Sequence, residues 1–443
     1  MYVSVRGRPG ADPAVEPGSG LPRVGATVVL LGIVSLLTDV SSEMVAAVLP
    51  VYLTAELGLG LLAYGVVDGL YQGASALVRI FGGYLGDRSN RPKWVAAAGY
   101  SLSAASRLAM LPAHGFAAVT AVVTADRLGK GLRTAPRDAL IADASDPRTL
   151  GRSFGAHRTL DTIGAAAGPL VAFSLLWFVP GGYSAVFVAS FAFAVLGVAV
   201  MVLFVPDRRS RATGGLPVRR VLRELAGPGL RRPLVAAGVL GLFTIGDGFV
   251  YLSLQDRDQF AASYFPLLFV GTNVAYLTFA IPLGRLADRV GRSRVFVGGH
   301  LALLVAYLVA AAPVGGLGAT VVALVLLGTF YAATDGVLAA LVSRRVASDA
   351  RGSGIAAAQT VVVIARFAGA LAFGSLWQIL GRQAALCLLA GLLLAGVVMA
   401  GRLLSGRDRP GSVGTTATGA DTPGVAEVPG VGAAAGEAGE NQR

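Results

Sequence analysis

The chain has 443 residues, of which 54% are hydrophobic and 14% are charged, whereas a soluble domain keeps about a quarter of its residues charged. This composition excludes an ordinary water-soluble protein, and the single cysteine, Cys387, excludes an internal disulfide framework or a cysteine metal cluster. The three histidines are scattered, so we expect no metal site and no cofactor. The net charge of +12 sits on arginines clustered between apolar runs, which indicates a lipid bilayer rather than nucleic acid as the partner.

Residues 1–24 form a polar N-terminal tail, predicted to be cytoplasmic, that lacks the basic start and short apolar core of a signal peptide. From Gly25 onward the chain contains runs of the roughly 20 apolar residues that a helix needs to cross a bilayer. We therefore predict twelve transmembrane helices. Their approximate ranges are 25–53, 61–84, 94–113, 116–136, 153–178, 184–205, 233–254, 262–284, 295–312, 319–343, 354–377 and 384–404.

A polar linker, residues 206–232, divides the chain into an N-terminal six-helix bundle (25–205) and a C-terminal one (233–404). The loops after every second helix hold nearly all the loop arginines, whereas the opposite loops offer only Arg257 and Arg382. Because basic loops stay in the cytoplasm, both termini and the linker are predicted to lie there, with the chain in the plasma (inner) membrane. Residues 405–443, rich in Gly, Ala, Pro and Glu, are predicted to be a disordered cytoplasmic tail.

The first helix carries two acidic residues at membrane depth, where an ionised side chain costs about 2.5–3.5 kcal/mol and is a functional candidate. Asp39 and Glu43 are four residues apart and therefore share one helix face. Two neighbouring carboxylates resist being ionised together, which suits a proton carrier. The alternative is a polar pair that arginines on neighbouring helices satisfy.

A short repeat follows the second helix of each half. "GYLGDRSNRPK" starts at Gly83 and "GRLADRVGRSR" at Gly284, which indicates two related halves. The glycines would allow close helix approach, and the aspartates could pair with arginines to latch the cytoplasmic side. Alternatively, the arginines only anchor the topology. The predicted latch residues are Asp87, Arg88, Arg91, Asp288, Arg289 and Arg292.

The fourth helix contains "DRLGKGLRTAPRD", Asp126 to Asp138, which is dense in charge. Asp126, Lys130, Arg133 and Arg137 fall within a narrow arc of one helix face. Because lipid would be a costly environment, this face must contact protein or a water-filled cavity. Asp126 can neutralise Lys130, which leaves Arg133 and Arg137 in surplus, and Pro136 is expected to kink or end the helix.

The fifth helix places Asp161 one turn from both His157 and Arg158, so we predict an ion pair among them. It continues into "GAAAGP", in which Gly164 and Gly168 precede Pro169 and permit close helix packing.

Three charged residues, Asp247, Asp335 and Arg366, stand nearly alone in apolar runs of the second half, and some of them must pair across helices. Tyrosines such as Tyr251 and Tyr276 could line a cavity, or they could serve packing and interfacial belts.

The two Gly-x-Leu-x-Asp-Arg loops resemble the loop signature of the major facilitator superfamily, and the resemblance covers residues 25–404. "RLGKG", Arg127 to Gly131, resembles that family's fourth-helix motif, in which the arginine is linked to proton transfer, although Lys130 replaces the usual glutamine. "GAAAGP" resembles the fifth-helix signature of the family's antiporters, or it reflects packing alone. The runs "TDVSSEM" and "GKGLRTAPRDALIADA" look like a bacterial subgroup of the superfamily.

We therefore predict an all-α membrane protein with twelve transmembrane helices in two pseudo-symmetric six-helix bundles. It would be a monomeric secondary active transporter, not an enzyme, that moves a small organic solute by alternating access. Proton coupling is expected, with export favoured over import. The leading proton carriers are Asp39, Glu43 and Asp126, and Arg127, Lys130, Arg133 and Arg158 would tune them or hold an anionic group.

Two alternatives remain at this point. The arginines at membrane depth would also suit proton-coupled uptake of a small anionic solute. A membrane-embedded enzyme or a lipid scramblase would belong to a different class, but no Ser/His/Asp set recurs at a suitable depth.

Overall fold

A computed structural model describes residues 24–89, 91–146, 148–207, 228–335, 338, 342 and 351–404, with side chains throughout except at 75–77, 79–89, 228–229, 351–354 and 356–357. Within these ranges the regular structure is helical and contains no strand. The helices are α1 Ala26–Val51, α2 Leu61–Ser89, α3 Pro92–Ala109, α4 Gly115–Asp143, α5 Leu150–Phe178, α6 Tyr183–Phe204, α7 Pro228–Leu242, α8 Asp247–Asp258, α9 Phe265–Val290, α10 Arg292–Ala311, α11 Leu317–Thr334, α12 Arg351–Leu380 and α13 Arg382–Leu404. A π-helical turn, Tyr52–Glu56, extends α1, and a 3₁₀ turn, Ala262–Tyr264, precedes α9.

With α7 and α8 counted as one broken span, the described helices make the twelve predicted crossings. Nine of the twelve are long and apolar enough to span a bilayer by themselves, within the described residues. The three others, α2, α3 and α4, pack mainly against one another, through the pairs α2–α4 and α3–α4. Their polar side chains can therefore meet protein rather than lipid, which removes the cost of exposing them to hydrocarbon.

The two halves repeat one packing scheme. In the N-terminal half the main helix pairs are α1–α5, α1–α6, α2–α4, α3–α4 and α3–α6. The corresponding pairs in the C-terminal half are α7–α12, α7–α13, α9–α11, α10–α11 and α10–α13. Each pair has its counterpart six spans later, so the predicted pseudo-symmetry is confirmed.

The two halves meet mainly along α2–α12 and along its symmetry counterpart, α5–α9. Near the start of α2, a Cβ atom on Gly65 would lie 2.6 Å from the carbonyl oxygen of Ala370. A Cβ atom on Gly374 of α12 would lie 2.5 Å from the carbonyl oxygen of Leu61. We call this contact the α2–α12 seam. The seam lies towards the end of the bundle that is farther from the chain termini. We call that end the opposite face, and we call the end nearer the termini the terminal face.

The predicted seventh helix, 233–254, is wrong as a single element, because the chain unwinds between Leu242 and Asp247. The freed backbone groups are satisfied internally, as membrane depth requires. The amide of Ile245 donates to the hydroxyl of Tyr307 at 3.0 Å, and that hydroxyl donates to the carbonyl of Phe243 at 3.3 Å. Gly246 stands in the break with its Cα against the carboxyl of Asp68, so that a side chain there would collide.

The predicted fourth helix is also corrected. It continues through Pro136 to Asp143, where we expected it to kink or end. Transmembrane helices tolerate an internal proline because neighbouring groups satisfy the backbone that it frees. The N-terminal tail up to residue 23, residues 208–227 of the linker and residues 405–443 lie outside the described residues. The domain boundaries drawn there stay predictions.

The small residues of α5 permit close packing against α1. A Cβ atom on Gly164 would lie 2.9 Å from the Cα of Leu36, and one on Gly168 would lie 2.8 Å from the carbonyl oxygen of Val40. Backbone cannot move aside as a flexible side chain can, so we expect Gly164→Ala to destabilise the fold by about 1–3 kcal/mol.

Thermal unfolding in detergent measures that loss. Gly155→Ala on the same helix is the matched control, because nothing lies within 4 Å of its Cβ position. Equal melting temperatures for the two variants would contradict this packing account.

Candidate functional site

Asp126 lies at the centre of a buried ion network in the N-terminal half. Its Oδ1 is 2.8 Å from Nη2 of Arg107 on α3, and its Oδ2 accepts from Nε of Arg127 at 2.8 Å. Arg107 also donates to Ser42 at 3.1 Å, and the guanidinium of Arg127 stacks 3.7 Å from the ring centre of Tyr71. The expected pairing of Asp126 with Lys130 is therefore wrong. Two arginines hold Asp126 instead, and they tie α3 and α4 together beside α1 and α2.

Asp39 and Glu43 on α1 both interact electrostatically with Lys130 on α4. The carboxyl of Asp39 also lies close enough to that of Asp161 on α5 to interact with it. Two carboxyl groups at such a separation resist being ionised together. The α1–α5 contact therefore holds a pair of acids that can share one proton.

Arg137 is engaged close to this acid pair. Its Nη2 is 2.9 Å from Asp138 Oδ1, its Nη1 is 3.9 Å from Asp161 Oδ1, and Nη1 donates to Ser35 at 3.2 Å. Ser35 in turn lies 3.5 Å from Nε2 of His157. His157 thus turns to a serine, whereas we expected it to join the ion pair with Asp161.

Arg133 is buried, with its guanidinium 4.6 Å from the ring centre of Tyr100. It therefore packs between α4 and α3, and it is not among the residues that line the cavity between the two halves. The predicted pair between Arg158 and Asp161 is confirmed at 3.5 Å. The side chain of Arg158 is 75% exposed, which places it at the edge of an open space between the two halves.

That space is a cavity of about 340 Å³ between α5 of the N-terminal half and α8, α9 and α11 of the C-terminal half. Arg158, at the edge of the cavity, lies about two turns from the start of α5 at the terminal face. Towards the opposite face, Tyr264 packs against Phe173 and Trp177 of α5, at ring-centre distances of 6.1 and 5.7 Å. The lining includes Arg158, Asp161, Asp247, Tyr251, Phe269, Thr272, Asn273, Tyr276, Tyr331 and Asp335.

The C-terminal wall of the cavity carries the isolated charges of the second half. Tyr331 donates to Asp247 at 2.5 Å, immediately after the break between α7 and α8. Asp335 follows the last residue of α11 in an extended conformation. Arg366 interacts electrostatically with both acids and with Asp68 of the other half. These charges lie within electrostatic range of one another at the interface, but among the described residues no ion pair joins them, so their pairing across helices stays a prediction.

The predicted latch is described only in part. The side chains of Gly83, Asp87 and Arg88, and Asn90 itself, lie outside the described residues. In the second loop, Asp288 pairs with Arg292 at 3.0 Å, on an exposed helix surface where such pairs contribute little stability. Gly284 has nothing within 4 Å of its Cβ position, so the close helix approach expected there is absent. Arg91 is exposed, and the latch role of these residues, with Arg289, stays a prediction.

Sequence analysis missed two residues of the site, Arg107 and Tyr331. Arg107 is a single arginine inside the apolar third run, and the rule applied to Arg366 would have found it. Tyr331 could not be found in this way, because a membrane tyrosine serves packing as often as binding. Tyr251 and Tyr276, for which both roles were open, do line the cavity.

The sequence model of the Major Facilitator Superfamily matches residues 31–272 and 257–435. An uncharacterised MFS-type transporter of Methanocaldococcus jannaschii is 29% identical over 383 residues, covering 83% of this chain and 93% of that protein. An uncharacterised protein of Mycobacterium tuberculosis is 34% identical over 173 residues, covering 37% of this chain and 42% of that protein. The family match therefore extends across both halves.

Solved structures of transporters share the fold. The nucleoside transporter NupG, in a mutant form, gives a TM-score of 0.74 at 16% identity and covers 85% of this chain and 100% of its own. The peptide transporter POT, also in a mutant form, gives 0.69 at 15% identity and covers 86% of this chain and 96% of its own. At such identities the likeness concerns the fold alone. Together with the family match, the twelve crossings and the cavity between two related halves, it leads to one conclusion: the chain belongs to the Major Facilitator Superfamily and is a transporter rather than an enzyme.

Proposed function

We propose that this protein couples the export of a small organic solute to proton entry, by alternating access across the plasma membrane with both termini in the cytoplasm. The observation that carries the proposal is the position of Asp161. Its carboxyl lines the central cavity and also lies close enough to that of Asp39 to interact with it. One residue therefore belongs both to the space that would hold the solute and to an acid pair that can hold a proton.

The surroundings of this acid pair allow the proton to leave. Lys130 interacts with Asp39, while Arg158 and Arg137 lie 3.5 and 3.9 Å from Asp161. After the proton leaves, these cations compensate the two carboxylates, which lowers the cost of ionising them at membrane depth. Asp126, already held by two arginines, is the less suitable of the proposed carriers, since its charge is compensated without a proton.

Arg158 offers a route by which solute binding reaches the proton. It pairs with Asp161 on one wall and interacts electrostatically with Asp335 on the other. A solute that binds at Asp335 changes the charge opposite Arg158 and so changes how strongly Arg158 holds Asp161. Proton release and solute binding would then be coupled by Coulomb forces across the cavity.

The "GAAAGP" resemblance supports export. Gly168 in this segment packs against α1 beside Glu43, so the segment lies next to the acidic face of α1. Uptake of an anion finds less support. Its case rested on Arg133 and Arg137, but Arg133 is buried on Tyr100 and Arg137 is engaged by Asp138.

Proteoliposomes test proton coupling. A panel of metabolites and drugs is applied first, and a solute-dependent pH change identifies a substrate. Asp39→Asn and Asp161→Asn should then abolish gradient-driven accumulation of that substrate but preserve its exchange across the membrane, because exchange needs no net proton movement. Asp146→Asn, on an exposed loop, is the control and should behave as wild type. Gradient-driven transport that survives both substitutions would exclude this acid pair as the coupling site.

A further inference from the structure

The C-terminal wall of the cavity has more carboxyl groups than cations. Asp247 and Asp335 line the cavity, and Asp68 lies directly behind the break at Gly246. Among the described residues around this wall, Arg366 is the cation that interacts with all three. Within the described part of this wall, three carboxyl groups therefore share the guanidinium of Arg366, and acidic groups outnumber basic ones.

The two acids that line the cavity have few partners of their own. Asp247 accepts a hydrogen bond from Tyr331 at 2.5 Å, and Asp335 forms no ion pair with a described residue. Arg158, on the opposite wall, also interacts electrostatically with Asp335, but it lies 3.5 Å from Asp161 and is paired there. A carboxylate that is partly withdrawn from water is stabilised by a compensating cation, which a ligand can supply.

The same wall presents aromatic rings beside these acids. Tyr251, Phe269, Tyr276 and Tyr331 all line the cavity. The hydroxyl of Tyr251 donates to Thr272 at 2.7 Å, and that of Tyr331 donates to Asp247. The ring of Tyr251 is fully buried against Phe265 and Phe269, so the contact surface offered to a solute is that of Phe269, Tyr276 and Tyr331. Aromatic faces attract cations and pack against planar apolar groups.

We infer that the transported solute is an organic cation with an aromatic part, whose charge lies between Asp247 and Asp335 and whose rings contact these aromatic side chains. The inference deepens the proposed function and rests on it, since it names the substrate class of the same cavity. A cavity of about 340 Å³ limits the solute to the size of a small drug-like molecule. An anion would meet the acidic wall and be repelled.

Binding to the purified full-length protein tests charge selectivity without requiring transport. The probes are tetraphenylphosphonium and tetraphenylborate, which have nearly the same shape and opposite charge, measured by equilibrium dialysis in detergent. Wild type should bind the phosphonium at least about tenfold more tightly than the borate, a difference of about 1.4 kcal/mol. Asp247→Asn and Asp335→Asn should each weaken phosphonium binding about tenfold. Asp146→Asn is the control for an exposed carboxylate, and protein-free micelles are the control for partition of each probe into detergent.

Three outcomes would overturn the inference: no phosphonium binding by wild type, equal or tighter binding of the borate, or unchanged binding in both folded variants. Circular dichroism and the melting temperature establish that the variants are folded. The two proposals fail separately. Solute-dependent proton flux with an anionic substrate would support the proposed function and contradict the inference that the solute is a cation. Phosphonium binding without any gradient-driven transport would support the cation site and contradict proton coupling.

Discussion

Asp126→Asn is expected to destabilise the N-terminal half by about 3–5 kcal/mol, because removing one partner of a buried ion network leaves the others as uncompensated charges. Arg107, Arg127 and Asp126 all have side chains no more than 5% exposed. An amide has the shape of the carboxyl group but none of its charge, so both guanidinium groups would remain buried without a counter-ion. Size-exclusion chromatography after solubilisation and thermal unfolding in detergent measure the loss of folded protein.

Two further variants separate charge from shape in this network. Asp126→Asn combined with Arg107→Gln restores the original net charge of the network and should recover part of the lost stability. Asp288→Asn removes a carboxylate from an exposed pair with Arg292 and should cost no more than about 1 kcal/mol. A melting temperature for Asp126→Asn equal to that of Asp288→Asn would show that the network contributes nothing to stability.

The sequence was sufficient to predict the twelve crossings and the two related halves, because both depend on periodic features of the chain. Apolar runs of about 20 residues indicate the membrane crossings, and the repeated loop motif indicates that the two halves are related. It was also sufficient to predict local charge pairs one turn apart, such as Arg158 with Asp161. In each case the relevant distance along the chain is short or regular.

Partners between helices could not be predicted in the same way. Asp126 had Lys130 one turn away and was expected to pair with it, but the packing of α3 against α4 brings Arg107 within 2.8 Å. Asp39 likewise interacts with Asp161 on another helix. Local spacing determines which residues share a face of a helix, and only tertiary packing determines what that face meets.

The break between α7 and α8 was hidden for a different reason. Residues 243–246 continue an apolar run, so hydropathy does not register the change in backbone conformation. The break depends on Tyr307, whose hydroxyl satisfies the freed backbone at Ile245 and Phe243. A donor and acceptor supplied by a helix more than fifty residues away leaves no local signal in the sequence.

The α2–α12 seam is the place where a small substitution should change the conformational equilibrium most. In this structure the seam is closed, and Gly65 lies so close to Ala370 that a Cβ atom would be 2.6 Å from its carbonyl oxygen. Any side chain on Gly65 would therefore clash with α12 while the seam is closed. The clash disappears when α2 and α12 separate. Overpacking of this kind costs about 1–3 kcal/mol, and each 1.4 kcal/mol is about a tenfold change in population.

Gly65→Leu should therefore shift the protein about ten- to a hundredfold towards states open at the opposite face, with Gly65→Ala intermediate. The reporter is Asn273→Cys, which lines the cavity, in a chain whose Cys387 is replaced by Ser. In intact cells, where the opposite face is predicted to be external, a membrane-impermeant maleimide should label this cysteine faster in the order wild type, Gly65→Ala, Gly65→Leu. Gly391→Leu on α13 is the matched control, because nothing lies within 4 Å of its Cβ position. Labelling rates that do not depend on residue 65 would mean that the seam does not gate the cavity, and alternation between the two faces would then need a different closing contact.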